Sequence, residues 1–178
     1  MKNYFIIHGS ESCSKAHWFP WLEEKLKAQG FEVFNLDYPT PENQCFDTWK
    51  DKLDCYKDKI NDQTVFIGHS IAPAFIIKYC ITNGVKINKL ISVCGFNTLI
   101  GGDLDKINKT MFLEDITSFR DLCESRVCFY SDNDPYLKLD YLKDFAQKID
   151  AQEIIIKDGG HLNTDAGFLE FPQILKHI

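Results

Sequence analysis

Thr64-Val65-Phe66-Ile67-Gly68-His69-Ser70-Ile71-Ala72 is the stretch on which the reading of this chain turns. A short β-branched and aromatic run meets a glycine, then a histidine and a serine. A helical pattern from Pro73 to about Asn83 follows. Strand, sharp turn and helix in that order lift the turn residue out of the backbone at the end of a buried strand. The helix behind it starts with N–H groups that have no partner inside the helix. A serine placed there has the geometry of a nucleophile, so acyl transfer is the first reaction class to test. The same residues would also suit a glycine that ends a strand and a serine that caps a helix. The usual pattern is G-x-S-x-G, and Ala72 stands at its last position. The fifth position needs a small side chain where helix and strand cross, and alanine meets that need less comfortably than glycine.

A serine nucleophile needs a base, and the base needs an orienting carboxylate. Arg126-Val127-Cys128-Phe129-Tyr130 reads as a buried strand running into the turn cluster Ser131-Asp132-Asn133-Asp134-Pro135. Glu153-Ile154-Ile155-Ile156 reads as another, running into Asp158-Gly159-Gly160-His161. An aspartate and then a histidine thus follow strand ends, in the chain order Ser, Asp, His. Asp134 is the expected acid, ahead of Asp132, Asp158 and Asp37. Upstream, Tyr4-Phe5-Ile6-Ile7 is an apolar run ending in His8-Gly9-Ser10. The backbone N–H groups of Ser10 and Ile71 are the expected oxyanion donors, and His8 is expected to close the strand end.

Together, the string Tyr4 to Ser10, the cluster His17-Trp18-Phe19-Pro20-Trp21-Leu22, the serine turn and Gly159-Gly160-His161 resemble one known group. These are the small serine hydrolases of the retinoblastoma-binding-protein-9-like group, within the α/β-hydrolase superfamily. The resemblance covers nearly the whole chain. It implies a lidless serine hydrolase with the triad Ser70, Asp134 and His161, no cofactor and no particular substrate. It does not carry over a retinoblastoma-type partner. That recognition uses L-x-C-x-E, and Leu53-Asp54-Cys55-Tyr56-Lys57 has lysine where glutamate is needed.

The remaining sequence agrees with one α/β domain spanning residues 1–178. Strands and helices alternate: strands at 4–8, 31–36, 65–67, 89–94, 126–130 and 153–156. Helices fall at about 18–29, around the stripe Phe46, Trp49, Leu53, Tyr56 and Ile60, after the serine turn, at 137–149 and at 168–178. This alternation predicts the α/β-hydrolase fold in a minimal version: about six mostly parallel strands with helices on both faces and no large cap domain. Right-handed crossovers place every strand-to-helix loop on one edge, where all the candidate residues fall. Between the fourth and fifth strands, Leu104, Ile107 and Met111 suggest one helix near the pocket. The His17 to Trp21 cluster has two readings: the core face of the first helix, or a substrate-binding wall built by Trp18 or Phe19.

A net charge of −6 and the lack of a basic stripe argue against nucleic acid. The seven cysteines are odd in number and contain no C-x-x-C pair, which suits free thiols in a reducing compartment. No Cys or His cluster at ligand spacing points to a metal. No apolar run has the length of a signal core or of a membrane span. The expectation is a cytoplasmic monomer acting on a small acyl substrate. A non-catalytic binding or scaffold protein on the same fold is the competing class.

Overall fold

The computed structural model describes residues 2–178. Six strands form a single sheet: β1 (Asn3–Ile7), β2 (Glu32–Leu36), β3 (Thr64–His69), β4 (Ile87–Val93), β5 (Cys123–Ser131) and β6 (Gln152–Ile156). Every neighbouring pair is parallel, in the order β2-β1-β3-β4-β5-β6. The helices are α1 (Phe19–Ala28), α2 (Phe46–Asp54), α3 (Ala72–Asn83), α4 (Leu104–Asn108) and α5 (Leu139–Lys148).

The strand order explains where a site can form. From β1 the chain steps outward to β2, then returns across β1 to β3 and moves only the other way. Right-handed connections then put α1 on one face and the other crossovers on the opposite face. Ring contacts agree. Trp18, just before α1, meets Phe171 at 5.8 Å, and Phe171 meets Phe129 of β5 at 5.1 Å. On the other face Trp49 of α2 meets Phe75 of α3 at 5.3 Å. The reversal lies between β1 and β3, and the loops diverging there leave a crevice at their carboxyl ends. Gly9 and Ser70 stand at that edge.

β1 and β3 are buried along their whole length. This is why they read as continuous apolar runs rather than as alternating ones. The stripe of α2 is buried at Phe46, Trp49 and Leu53. Tyr56 and Ile60 are only half-buried, because the helix stops at Asp54 and tightens into a 3₁₀ turn at Lys57–Lys59. α3 is apolar on nearly every face and ends at Gly84, whose φ of 63° makes a left-handed cap.

One expected element is different. Residues 168–178 do not form a helix; a 3₁₀ turn covers only Pro172–His177. Pro172 holds the residue before it out of the helical region, and Phe171 has φ −137° and ψ 71°. Too few residues then remain for a stable α-helix. Phe171 and Ile174 are nevertheless buried, so this turn still covers the α1 face of the sheet.

Candidate active site

β3 ends in the turn that presents Ser70. Ser70 has φ 60°, a left-handed conformation costly for a serine, and its N–H is held by Val93 O at 2.9 Å. The turn is possible because of two glycines. A Cβ on Gly68 would stand 2.9 Å from Ile76 Cδ1 and 3.0 Å from Pro73 N, so α3 crosses too close to admit one. A Cβ on Gly9 would stand 2.7 Å from Ser70 Cβ, so the end of β1 presses directly on the turn. Ala72, at the fifth position of the pattern, is fully buried and fits.

The loops after β5 and β6 meet at an imidazole–carboxylate pair. His161 Nδ1–H donates to Asp134 Oδ2 at 2.7 Å. Asp134 Oδ1 accepts the Tyr136 and Leu137 backbone N–H groups at 2.9 and 3.1 Å. The side chains of His161 and Asp134 are 10 % and 1 % exposed, so water competes little for this bond. An ionised carboxylate only accepts, so Nδ1 carries the proton of this bond. The other aspartates make different bonds. Asp132 Oδ1 accepts Asp158 N–H at 2.8 Å, latching the two loops together. Asp37 Oδ1 accepts Ser14 N–H at 2.6 Å, and that bond holds its pKa below the usual value despite partial burial.

Ser70 and His161 line a common cleft of about 300 Å³ with Ser10, Ser12, His17 and Asn163, closed by Phe96, Ile100, Leu104, Tyr136 and Leu137. Leu104 belongs to α4, which supplies the helix expected near the pocket. Tyr136 stands edge-on to His161 at 5.1 Å between ring centres. No hydrogen bond joins Ser70 Oγ to the His161 ring among the described residues. Catalytic contacts of this kind commonly tighten only with substrate bound.

Ser10 is held by side chains that sequence reading did not single out. Gln44 Nε2 donates to Ser10 Oγ at 2.7 Å and to Asn108 Oδ1 at 2.6 Å, and Ser10 Oγ–H donates to Asn108 Oδ1 at 2.8 Å. Thr40 Oγ1 donates to Gln44 Oε1 at 2.5 Å, completing a network that anchors the loop after β1. Neither the Ser10 nor the Ile71 N–H has a protein acceptor among the described residues. His8 closes the strand end. Its Nε2 accepts Tyr38 N–H at 2.9 Å, so its proton sits on Nδ1 and goes to Gly9 O at 2.7 Å. Burial holds the His8 pKa down, outweighing the opposing pull of the Gly9 bond and of Asp37.

Trp18 and Phe19 do not wall the cleft. Both are fully buried, and both pack edge-on against His69, at 6.2 and 5.9 Å between ring centres. The start of α1 faces the sheet, so these rings are core, and the cleft walls come instead from the chain between β4 and α4 and from the loop after β5. Trp18 also anchors the loop that carries His161, because its Nε1–H donates to Leu162 O at 2.9 Å.

The residue before Ser70 is also structural. His69 Nε2–H donates to His161 O at 2.9 Å, while its Nδ1 is buried without a partner. Burial, then the neighbouring His161, holds the His69 pKa well below its ordinary value, so it stays neutral. Cys94, at φ 51°, lies beneath Asp134; burial and that carboxylate push its thiol well above the ordinary range. His69, Cys94 and His161 bring one ligand atom each within 4.8 Å of one another, a His/Cys cluster that their sequence spacing does not disclose. His161 is committed to Asp134 and Cys94 stays protonated, so the cluster reads as the packed underside of the site.

Comparison with known proteins identifies the family. The serine hydrolase family model matches residues 4–178. YdeN of Bacillus subtilis (strain 168), whose hydrolase designation is itself an inference, is 30% identical over an alignment of 178 positions that covers 96% of this chain and 91% of YdeN. The crystal structure of the B. subtilis ydeN product superposes with a TM-score of 0.91 at 28% identity, covering 99% of this chain and 96% of that one. Polyneuridine aldehyde esterase superposes with a TM-score of 0.65 at 13% identity, covering 98% and 96% of the two chains, which speaks for the fold alone. The chain belongs to the serine hydrolase family, within the α/β-hydrolase superfamily.

Proposed function

We propose that this serine hydrolase cleaves carboxylic esters through an acyl-enzyme on Ser70, with thioesters and small amides as adjoining substrates. The observation that carries the reading is the shielded 2.7 Å contact between His161 Nδ1 and Asp134 Oδ2 in the cleft that Ser70 lines. In this scheme Ser70 Oγ attacks the acyl carbon and His161 Nε2 takes its proton. The carbonyl oxygen, now negative, accepts from the Ser10 and Ile71 N–H groups. His161 then gives the proton to the leaving group, and water repeats the cycle on the acyl-enzyme. Asp134 keeps the proton of neutral His161 on Nδ1 and stabilises the imidazolium.

A cleft of about 300 Å³ lies at the low end of the range for small-molecule sites, which favours short acyl groups. The narrower resemblance to the retinoblastoma-binding-protein-9-like group adds no substrate. All seven cysteines are free, which supports a reducing, cytoplasmic setting, and no helix among the described residues is long and apolar enough to cross a membrane. We take the protein to act as a monomer on small acyl substrates.

A fluorophosphonate probe tests the reading. Labelling that maps to Ser70 and disappears in Ser70→Ala supports it; folded protein that takes no label points to the binding-protein alternative. A series of activated esters of increasing acyl length should show turnover falling as the chain outgrows the cleft.

A further inference from the structure

Three ring side chains hold the backbone on which His161 stands. His69 donates to His161 O and Trp18 to Leu162 O, both at 2.9 Å. The third is His17, whose Nδ1 accepts Thr164 N–H at 3.2 Å and lies 3.0 Å from Thr164 Oγ1. Trp18 and His69 are buried, whereas His17 is half-buried and lines the cleft. Its other nitrogen, Nε2, lies 3.3 Å from Ser12 Oγ. A nitrogen that accepts a backbone N–H carries no proton, so the single ring proton is on Nε2 and points to Ser12. His17 therefore ties the loop that carries Ser10 and Ser12 to the loop that carries His161. It does so at φ 53°, a left-handed conformation kept by bonds on both sides.

We infer that His17 is a positioning residue for the hydrolysis: its neutral ring sets the spacing between the oxyanion loop and the base loop, and protonation of Nδ1 breaks the link. The inference rests on the serine-hydrolase mechanism proposed above. A protonated Nδ1 would turn an N–H against the Thr164 N–H, donor against donor. The groups facing His17 are His161 and Asp165 on the base loop, His69 on the turn before Ser70, at 5.4 Å between rings, and His8 at the end of β1. The Phe19 ring closes the remaining side at 5.3 Å. Burial first, then His161, lowers the His17 pKa; Asp165 pulls weakly the other way. His17 thus stays neutral at neutral pH and takes a proton only on the acid side of its ordinary value.

The second-order rate of fluorophosphonate labelling at Ser70 reads this without knowledge of the substrate. It would be measured from about pH 5 to 8, across the range where imidazoles titrate, on wild type, His17→Ala and His17→Asn, wherever far-ultraviolet dichroism remains native. An asparagine Oδ1 stands where Nδ1 stood, can accept the Thr164 N–H at every pH and does not titrate. The expected result is labelling roughly tenfold slower in His17→Ala, about what one net hydrogen bond is worth in position, with the melting temperature little changed. In wild type the logarithm of the rate should fall with a slope that steepens from one toward two in acid. In His17→Asn the acid limb should keep a slope of one, with a rate near that of wild type at neutral pH. His17→Ala labelling at the wild-type rate, or a second proton persisting in His17→Asn, overturns the inference and leaves the serine-hydrolase reading intact. Folded wild-type protein that takes no label at Ser70 overturns both.

Discussion

Replacing Gly9 by alanine should disable the site while leaving the fold in place. The new Cβ would stand 2.7 Å from Ser70 Cβ and 3.2 Å from His69 O. Carbon atoms pack best at about 3.5 to 4.0 Å, so the ends of β1 and β3 must separate locally by roughly 0.8 to 1.3 Å. Neither neighbour yields easily. The atom met is the Cβ of Ser70 itself, whose φ is already 60° and whose N–H is held by Val93 O. Ser10 follows Gly9 directly and is bound to Gln44 and Asn108, so the movement shifts the loop after β1 relative to Ser70 Oγ. A misplacement of about 1 Å typically costs on the order of a hundredfold in rate. The accompanying overpacking should cost about 1–3 kcal/mol of stability. For a domain of this size that lowers the melting temperature by roughly 2–4 °C per kcal/mol. The assay is turnover of a short activated ester beside thermal unfolding. A folded Gly9→Ala protein with turnover within threefold of wild type would refute the claim that this close approach sets the geometry of the site.

Asp134→Asn should lower turnover on the order of 10⁴-fold with folding retained, because the amide would stabilise the wrong imidazole tautomer. Asp132→Asn and Asp158→Asn, compared on the same ester, should lose at most a few-fold; a large loss in either one but not in Asp134→Asn would reassign the acid. Trp18→Phe keeps the packing on His69 but removes the donor to Leu162 O, and should cost about 1–3 kcal/mol in urea unfolding if that carbonyl is left without a partner. His8 and His69 are buried with pKa values held below their ordinary 6.5. Between the unfolded and folded values only the unfolded chain takes up these protons, so stability should fall as pH drops below about 6.5, by up to about 1.4 kcal/mol per pH unit for each, and level off once the folded values are passed. Urea midpoints that stay constant or rise from pH 7.5 to about 5.5 would contradict this burial argument.

Much of the architecture is legible along the chain because it rests on local preferences. Continuous apolar runs such as Tyr4 to Ile7 belong to strands covered on both faces, and Phe46, Trp49 and Leu53 recur at the spacing of one helix face. The Gly68 to Ala72 turn and the order Ser70, Asp134, His161 follow in the same way, since each depends on what lies within a few residues of it. The expected helix at 168–178 failed for an equally local reason, the break imposed by Pro172. What the chain alone leaves undecided is pairing at a distance. Asp132 and Asp134 are two residues apart in one turn, and only the path of that turn sends one to Asp158 N–H and the other to His161. Trp18 reads equally well as core or as pocket wall until the start of α1 is seen to face the sheet. His17 and Thr164 are separated by 147 positions, and His69 and the His161 carbonyl by 92. Those contacts exist because the sheet sets β3 beside β1 and brings the loop after β6 back over the same carboxyl edge. Residue types and spacings encode the strands, helices and turns, but which polar groups face one another is a property of the assembled sheet.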